Sequence, residues 1–368
     1  MKIIKNTKNT VFEGCDFVLK FDTDRKIKLL QLTDMQIIDA TQRREPDRLR
    51  IDEINAWRPE NFDALCGDQI RSLVAQTSPD MIFITGDVTY GSFDDNGQTL
   101  VYICKLMDSF KIPWAVTFGN HDNESEMGVA WQCEQFEKSE YCLFKRGSVT
   151  GNSNFSVGIA VGEELVRVLH MVDSNGCGAG TDESITKKRG IYSDQIELIK
   201  ANTSAIKKAQ CKNVKAFMAC HIPVDLFIKA EIANGYRNAE REFYTLGVDV
   251  SAQKGDFGCK YERHDRTMIA TDENFLDALK KCNVDGFFVG HCHKNNTCIE
   301  YEGIKWIYGL KTGQYDYHNV GQLGGTLVTL EGDGFTVQHV PALALCAAYP
   351  GKAPMFNGLF AEDKYIIE

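Results

Sequence analysis

Six times in this sequence a short apolar run stops abruptly at polar residues that can turn a chain or bind a metal. Ile27–Thr33 runs into Asp34, Met81–Thr85 into Gly86-Asp87, and Trp114–Phe118 into Gly119-Asn120-His121. Val166–Val172 runs into Asp173, Ala216–Cys220 into His221, and Gly286–Val289 into Gly290-His291. Runs of this length bounded by turn residues predict buried strands. Helix-like segments lie between several of them: Phe62–Thr77, Thr99–Phe110, Ser193–Ala209 and the shorter Asn274–Cys282. Alternation of this kind predicts a layered α/β fold. After residue 297 come Thr297–Tyr301, Ile304–Leu310, Gly325–Leu330 and Gly334–Val340, separated by Gly and Asp turns, which predict an antiparallel finish.

Composition narrows the class. The 368 residues are 43% hydrophobic and 25% charged, ordinary globular values that exclude a disordered chain. No repeat or Pro-rich linker divides the sequence, and a single domain over residues 1–368 is expected. The stretches 39–60 and 226–272 break the strand–helix rhythm and predict insertions at the rim of a site. A net charge of −10 argues against a dedicated nucleic-acid binder. It leaves room for a phosphate substrate, because bound cations can dominate the local field. No apolar stretch reaches the roughly 18 residues of a membrane span, and the first residues carry no signal-peptide-like run. The expectation is therefore a cytoplasmic protein without membrane contact. Thirteen cysteines, an odd count with no CxxC pair, predict reduced and mostly buried thiols.

In open α/β sheets, ligands bind at the carboxyl ends of the strands. Here those ends carry Asp34, Asp87, Asn120, His121, His221, His291 and His293. Carboxylate, imidazole and amide oxygen together suit borderline or hard cations. The absence of a matching cysteine set argues against a structural zinc knuckle. One carboxylate can bridge two metals about 3.5–4 Å apart, as two-metal hydrolases require.

Taken in order, Asp34-Met35-Gln36, Gly86-Asp87, Gly119-Asn120-His121-Asp122, His221 and Gly290-His291-Cys292-His293 resemble the motifs of calcineurin-like metallophosphoesterases. Each motif alone is weak; the set in order is specific. The family's first motif is usually Asp-x-His, and Gln36 departs from it. The second motif continues as Gly86-Asp87-Val88-Thr89-Tyr90, similar to the GDxxY of purple acid phosphatases, in which the tyrosine binds a ferric ion. The nearest resemblance is to the intracellular purple-acid-phosphatase-like branch, which the later Gly313–His318 stretch supports.

That resemblance implies a four-layer αββα sandwich with two mixed β-sheets flanked by helices. It implies two metal ions, iron paired with iron, manganese or zinc. The first would take Asp34, Asp87, Tyr90 and His293; the second Asp87, Asn120, His221 and His291. His121 would face the substrate phosphate, with Asp122 orienting its ring, while a metal-bridging hydroxide attacks phosphorus. The implied activity is hydrolysis of a phosphate ester, with a phosphomonoester favoured and a small phosphorylated molecule or phosphoprotein as substrate. Two alternatives remain: a phosphodiesterase acting on cyclic nucleotides, nucleotides or lipid head groups, and a catalytically decayed metal-binding scaffold of which Gln36 is the first sign.

Blander readings compete at several positions. Asp and Asn after a strand often cap helices or form turns, and for Asp173 and Asn175 a plain turn is the even choice. His170 and His339 read as structural, His264 as solvated, and Cys292 as packing. Gln36 could reach a metal through its amide oxygen or hold a water. His318 and Tyr317 are candidate contacts behind the ligands or to substrate. Arg43, Arg44, Arg48 and Arg50 read as a solvated cluster near the site, from which one guanidinium could grip a phosphate.

Overall fold

The strand ends predicted from sequence converge because two sheets lie face to face with their parallel strands ending on the same side. The computed structural model describes residues 1–22, 25–42, 49–176, 188–235, 268–318 and 322–343. Strands are β1 (Lys2–Ile4), β2 (Phe17–Phe21), β3 (Ile27–Leu32), β4 (Met81–Thr85), β5 (Trp114–Thr117), β6 (Phe155–Val161) and β7 (Glu164–Met171). They continue with β8 (Ala216–Ala219), β9 (Val284–Val289), β10 (Cys298–Tyr301), β11 (Ile304–Tyr308), β12 (Gly324–Glu331) and β13 (Gly334–Pro341). Helices are α1 (Ile51–Ala56), α2 (Asp68–Thr77), α3 (Gln98–Ser109), α4 (Gly128–Lys138), α5 (Ser193–Gln210), α6 (Leu226–Ala233) and α7 (Phe275–Lys281).

One sheet has the order β13-β12-β3-β4-β5, the other β1-β2-β6-β7-β8-β9-β11-β10. Strands β3, β4 and β5 are mutually parallel, as are β7, β8, β9 and β11. The sheets meet through aromatic side chains. Phe83 of β4 packs edge-on against Phe288 of β9, and Phe217 of β8 against Phe335 of β13. Outside the first sheet, Ile70 and Leu73 of α2, Ile103 and Met107 of α3 and Phe136 of α4 join the same core. A second core lies outside the other sheet, where Ile199 and Ile206 of α5, Phe227 of α6 and Leu279 of α7 cover Met218, Phe287 and Trp306. The result is the expected α/β arrangement of two mixed sheets between helical layers.

The predicted strands match closely, because each is a buried run without competing helical period. The antiparallel finish holds within each late hairpin. The two late hairpins, β10–β11 and β12–β13, separate into different sheets; β11 runs parallel to β9, and β12 lies beside β3. Sheet assignment depends on partners far along the chain, which local pattern does not carry. The helix starting at Ser193 is capped by Tyr192: the Gln195 side chain accepts the Tyr192 backbone N–H at 2.7 Å. The first proposed insertion carries the short helix α1, and the second begins with α6; Arg43, Arg44, Arg48 and His264 lie outside the described residues. The ten described cysteines form no disulfides with one another, and nine are buried. No helix among the described residues is long and apolar enough to cross a membrane.

Candidate active site

The chain leaves its strands in an unusual conformation here. Asp34, Gln36, Asp87 and His291 have φ of 53°, 44°, 49° and 71°, the left-handed region that non-glycine residues enter at a cost of about 1–3 kcal/mol. Backbone bonds hold them there: Asp34 N–H donates to the Gly86 carbonyl (3.1 Å) and Gln36 N–H to the Asp87 carbonyl (2.8 Å). The motif glycines admit no side chain. A Cβ on Gly119 would strike the Asp87 carboxylate, and one on Gly290 would strike Thr33 and Asp34.

This packing closes two groups of ligand atoms around one carboxylate. Asp87, His221 and His291 form one; Asp34, Asp87 and His293 form the other; within each group the atoms lie within 4.8 Å of one another. His221 Nε2 sits 3.1 Å from Asp87 Oδ2, and His293 Nε2 3.3 Å from Asp34 Oδ1. Their other ring nitrogens are anchored on backbone carbonyls, His221 Nδ1 on Thr85 and His293 Nδ1 on Tyr317. Such anchoring fixes the tautomer that presents Nε2 as a ligand. His291 donates its backbone N–H to both Asp34 carboxylate oxygens, at 3.0 and 2.9 Å. Asn120 adds a buried amide oxygen, Oδ1, that accepts no hydrogen bond.

The charges favour a cation. Burial works against ionising Asp34, yet His221 and His293 hold its carboxyl down at about 2. Asp87 is likewise pushed down by His221 and His121 despite its burial. Burial would lower the His221 imidazolium, but Asp87 and Asp34 raise it to about 9. In the protein alone, protons on histidine thus take the place that metal ions would fill. With an orphaned Asn120 oxygen and two Asp/His groups sharing Asp87, the residues fit a binuclear centre.

His121 stands beside these groups without belonging to either. Its backbone N–H donates to Asp87 Oδ1 (2.8 Å), and its ring nitrogen Nδ1 meets Glu124 Oε2 at 2.9 Å. Burial would lower its pKa, but the Asp87 and Glu124 charges raise it to about 9. Asp122 does not orient the ring, contrary to expectation. Its carboxylate accepts the backbone N–H groups of Thr89 (3.0 Å) and Gly119 (2.8 Å), tying the second loop to the third. Glu124 takes the orienting role because the short turn Asp122–Glu124 swings its third residue back under the imidazole. The sequence carried that signal in Glu124 itself, three residues beyond His121.

Gln36 is not placed as a ligand. Lys311 Nζ donates to Gln36 Oε1 (3.1 Å) and to the Asp34 carbonyl. An ammonium can only donate, so the amide oxygen faces Lys311 and the nitrogen faces inward, donating to Asp87 Oδ2 at 3.2 Å. Nothing local in the sequence marks Lys311, whose partner lies 275 residues away. Tyr90 lies within this ring of loops, its ring tilted against His121 with centroids 4.0 Å apart at 30°. His318 is buried with Nδ1 held by the Asp316 carbonyl and Nε2 without a partner; burial lowers its pKa to about 4.

The structural readings are simpler. His170 bonds Ser156, and His339 bonds Thr326 and the Asn296 carbonyl, both away from the site. Asp173 accepts the Asn152 and Asn175 backbone N–H groups in a turn. Cys292 packs in the second core. Arg50 pairs with Glu53 at 3.1 Å.

A model of the family described as Calcineurin-like phosphoesterase matches residues 27–295. The chain belongs to this family. The phosphoesterase is 30% identical to probable inactive purple acid phosphatase 28 of Arabidopsis thaliana over 334 residues, 83% of this chain and 74% of that protein. It is 23% identical to probable inactive purple acid phosphatase 29 of the same plant over 327 residues, 83% and 76% of the two chains. Phosphatase DCR2 of Saccharomyces cerevisiae is 22% identical over 284 residues, 76% of the phosphoesterase and 46% of the yeast protein. Purple-acid-phosphatase-like proteins are therefore among its distant relatives.

Proposed function

We propose that this phosphoesterase hydrolyses a phosphomonoester at a centre of two cations. Asp34, Asp87 and His293, with Tyr90, would hold one; Asp87, Asn120, His221 and His291 would hold the other. When bound, such a pair supplies a deprotonated water as nucleophile and offsets the charge developing on phosphoryl oxygens. Tyr90 is the reason to expect iron in the first site, with iron, manganese or zinc in the second.

The observation that carries this reading is His121. Its imidazole meets Glu124, its backbone N–H is held by Asp87, the two carboxylates favour its protonated form, and it stands next to the paired groups without joining them. It passes that proton to the departing ester oxygen as water oxygen bonds to phosphorus and the P–O ester bond breaks. Charge on the phosphoryl group is also met by the ring's own positive charge. General acid help of this kind is typically worth about 10²–10⁴-fold.

A second reading has a specific basis: three Arabidopsis relatives are named inactive, and Gln36 turns its nitrogen inward. Against it stand both Asp/His groups, the free Asn120 oxygen and the oriented His121. Turnover of p-nitrophenyl phosphate and bis-p-nitrophenyl phosphate with added manganese or iron, alongside metal analysis, separates the readings. Preferred cleavage of the monoester supports a phosphatase. Preferred cleavage of the diester makes the protein a phosphodiesterase. Two bound metals with no turnover of either leave a metal-binding scaffold.

A further inference from the structure

Beside the metal centre lies a cavity of about 270 Å³ whose lining includes Trp57, Tyr90, Phe93, Tyr317, Arg50 and Glu53. Two of its walls are shared with the site. Tyr90 lies tilted against His121, ring centroids 4.0 Å apart at 30°, and Tyr317 stacks on His293 at 4.1 Å and 24°. Phe93 packs against Tyr90 within the lining, ring centroids 5.5 Å apart, and the buried Tyr315 backs Trp57 at 5.9 Å. The helix α1 supplies Glu53, and Arg50 at its start pairs with Glu53. This pairing leaves the cavity without a net cation in its wall from that side.

We propose that this cavity receives the leaving group of the substrate, and that the leaving group is a planar aromatic ring system. The inference rests on the hydrolase reading above. A group departing on the His121 side of the centre leaves past Tyr90, the ring common to site and cavity. Flexible aliphatic or sugar-alcohol groups would not exploit these ring faces; an aromatic ring would, in offset or edge-to-face contact. The volume falls just below the roughly 300–1,000 Å³ of drug-sized pockets. It suits one ring system rather than a length of peptide. The Arg50–Glu53 pair also argues against a second phosphate here, since the guanidinium already faces a carboxylate.

Benzyl phosphate and cyclohexylmethyl phosphate test this directly. Both release a primary alcohol of similar acidity, so the chemistry is matched and only ring character differs. Stacking gains of the usual size predict about a tenfold preference for benzyl phosphate in kcat/KM. Replacing the indole by Trp57→Leu should collapse that ratio toward one, and Tyr317→Leu serves as an independent second variant if Trp57→Leu fails to fold. Equal kcat/KM for the two substrates in the natural protein overturns the proposal while leaving the hydrolase reading intact. Absence of turnover of any ester overturns the hydrolase reading instead. In that case competition between benzylphosphonate and cyclohexylmethylphosphonate, read by tryptophan fluorescence, still decides the cavity: equal affinities refute it.

Discussion

On one side of Asp87 the groups converge with little left to arrange. His221 is locked by the Thr85 carbonyl, His291 by its backbone bond to Asp34, and Asn120 offers an oxygen with no other partner. On the other side Asp34 and His293 face a position where Gln36 turns away its oxygen, drawn by the buried ammonium of Lys311. The first side is built from strand ends and their own turns. The second depends on what a distant segment brings in. A side built wholly from strand-end residues has its donors fixed by one another, whereas a side that also leans on the segment after β11 can change its chemistry through that single partner.

The sharpest break in this comparison comes from the locally built side. His221→Ala and Asn120→Ala should each lose the second metal and nearly abolish turnover, since each removes a donor from a group with no spare. Metal analysis with a turnover assay checks this. Full activity with two metals per chain in either variant would take that residue out of the centre.

Next in size is His121, which belongs to neither side. His121→Ala should leave both metals bound and lower the rate about 10²–10⁴-fold. The loss should shrink for p-nitrophenyl phosphate, whose leaving group needs little protonation. Equal losses for alkyl and aryl esters would reduce the ring's role to charge stabilisation. Glu124→Gln should cost less, about tenfold, because the amide oxygen can still accept from Nδ1 without holding the ring's charge. Asp122→Asn, in contrast, should act through stability, since its carboxylate joins two loop backbones.

The same contrast explains what could be read from sequence. Asp34, Asp87, Asn120, His221, His291 and His293 are visible because each follows a buried run that ends at a fixed point, so spacing and chemistry coincide. The role of Asp122 was misread because two acids lie within three residues of His121, and only the turn decides which one reaches the ring. Lys311 was invisible for a different reason. Its meaning comes from β11 lying next to β9 while β12 lies beside β3, which brings the segment between them under Asp34. Aromatic contact of Tyr90 and Tyr317 with the two histidines is equally a product of packing, with no sequence period to announce it.

Lys311→Met sharpens the comparison from the other side. It removes the donor to the Asp34 carbonyl and to Gln36 Oε1, leaving two buried acceptors unmet. A loss of stability of about 1–3 kcal/mol is expected. The first cation should bind at least as well, because a buried positive charge beside it has gone. A fall in melting temperature without loss of first-site metal is the expected result. Loss of that metal with unchanged stability would mean that Lys311 shapes the ligand set itself.

The smallest expected effect, and the finest test, is Tyr90→Phe. With Gln36 turned inward by its nitrogen, Asp34, Asp87 and His293 leave the first site short of an anionic donor. A phenolate would fill that place, and it favours a ferric over a divalent ion. Binding would have to draw the tyrosine well below its usual pKa of about 10. If iron is bound this way, a phenolate-to-iron charge-transfer band colours the protein. Tyr90→Phe should then bleach the band and loosen the first metal while leaving the second, because the locally built side does not touch this ring. The contact of Tyr90 with His121 makes a second readout available. Phenylalanine keeps the ring face, so the preference for an aromatic leaving group should survive the same substitution that removes the colour. Loss of both together would show that the ring is held in place by its metal bond. An unchanged spectrum and unchanged metal content would restrict Tyr90 to the cavity wall, and the first site would then be completed by solvent.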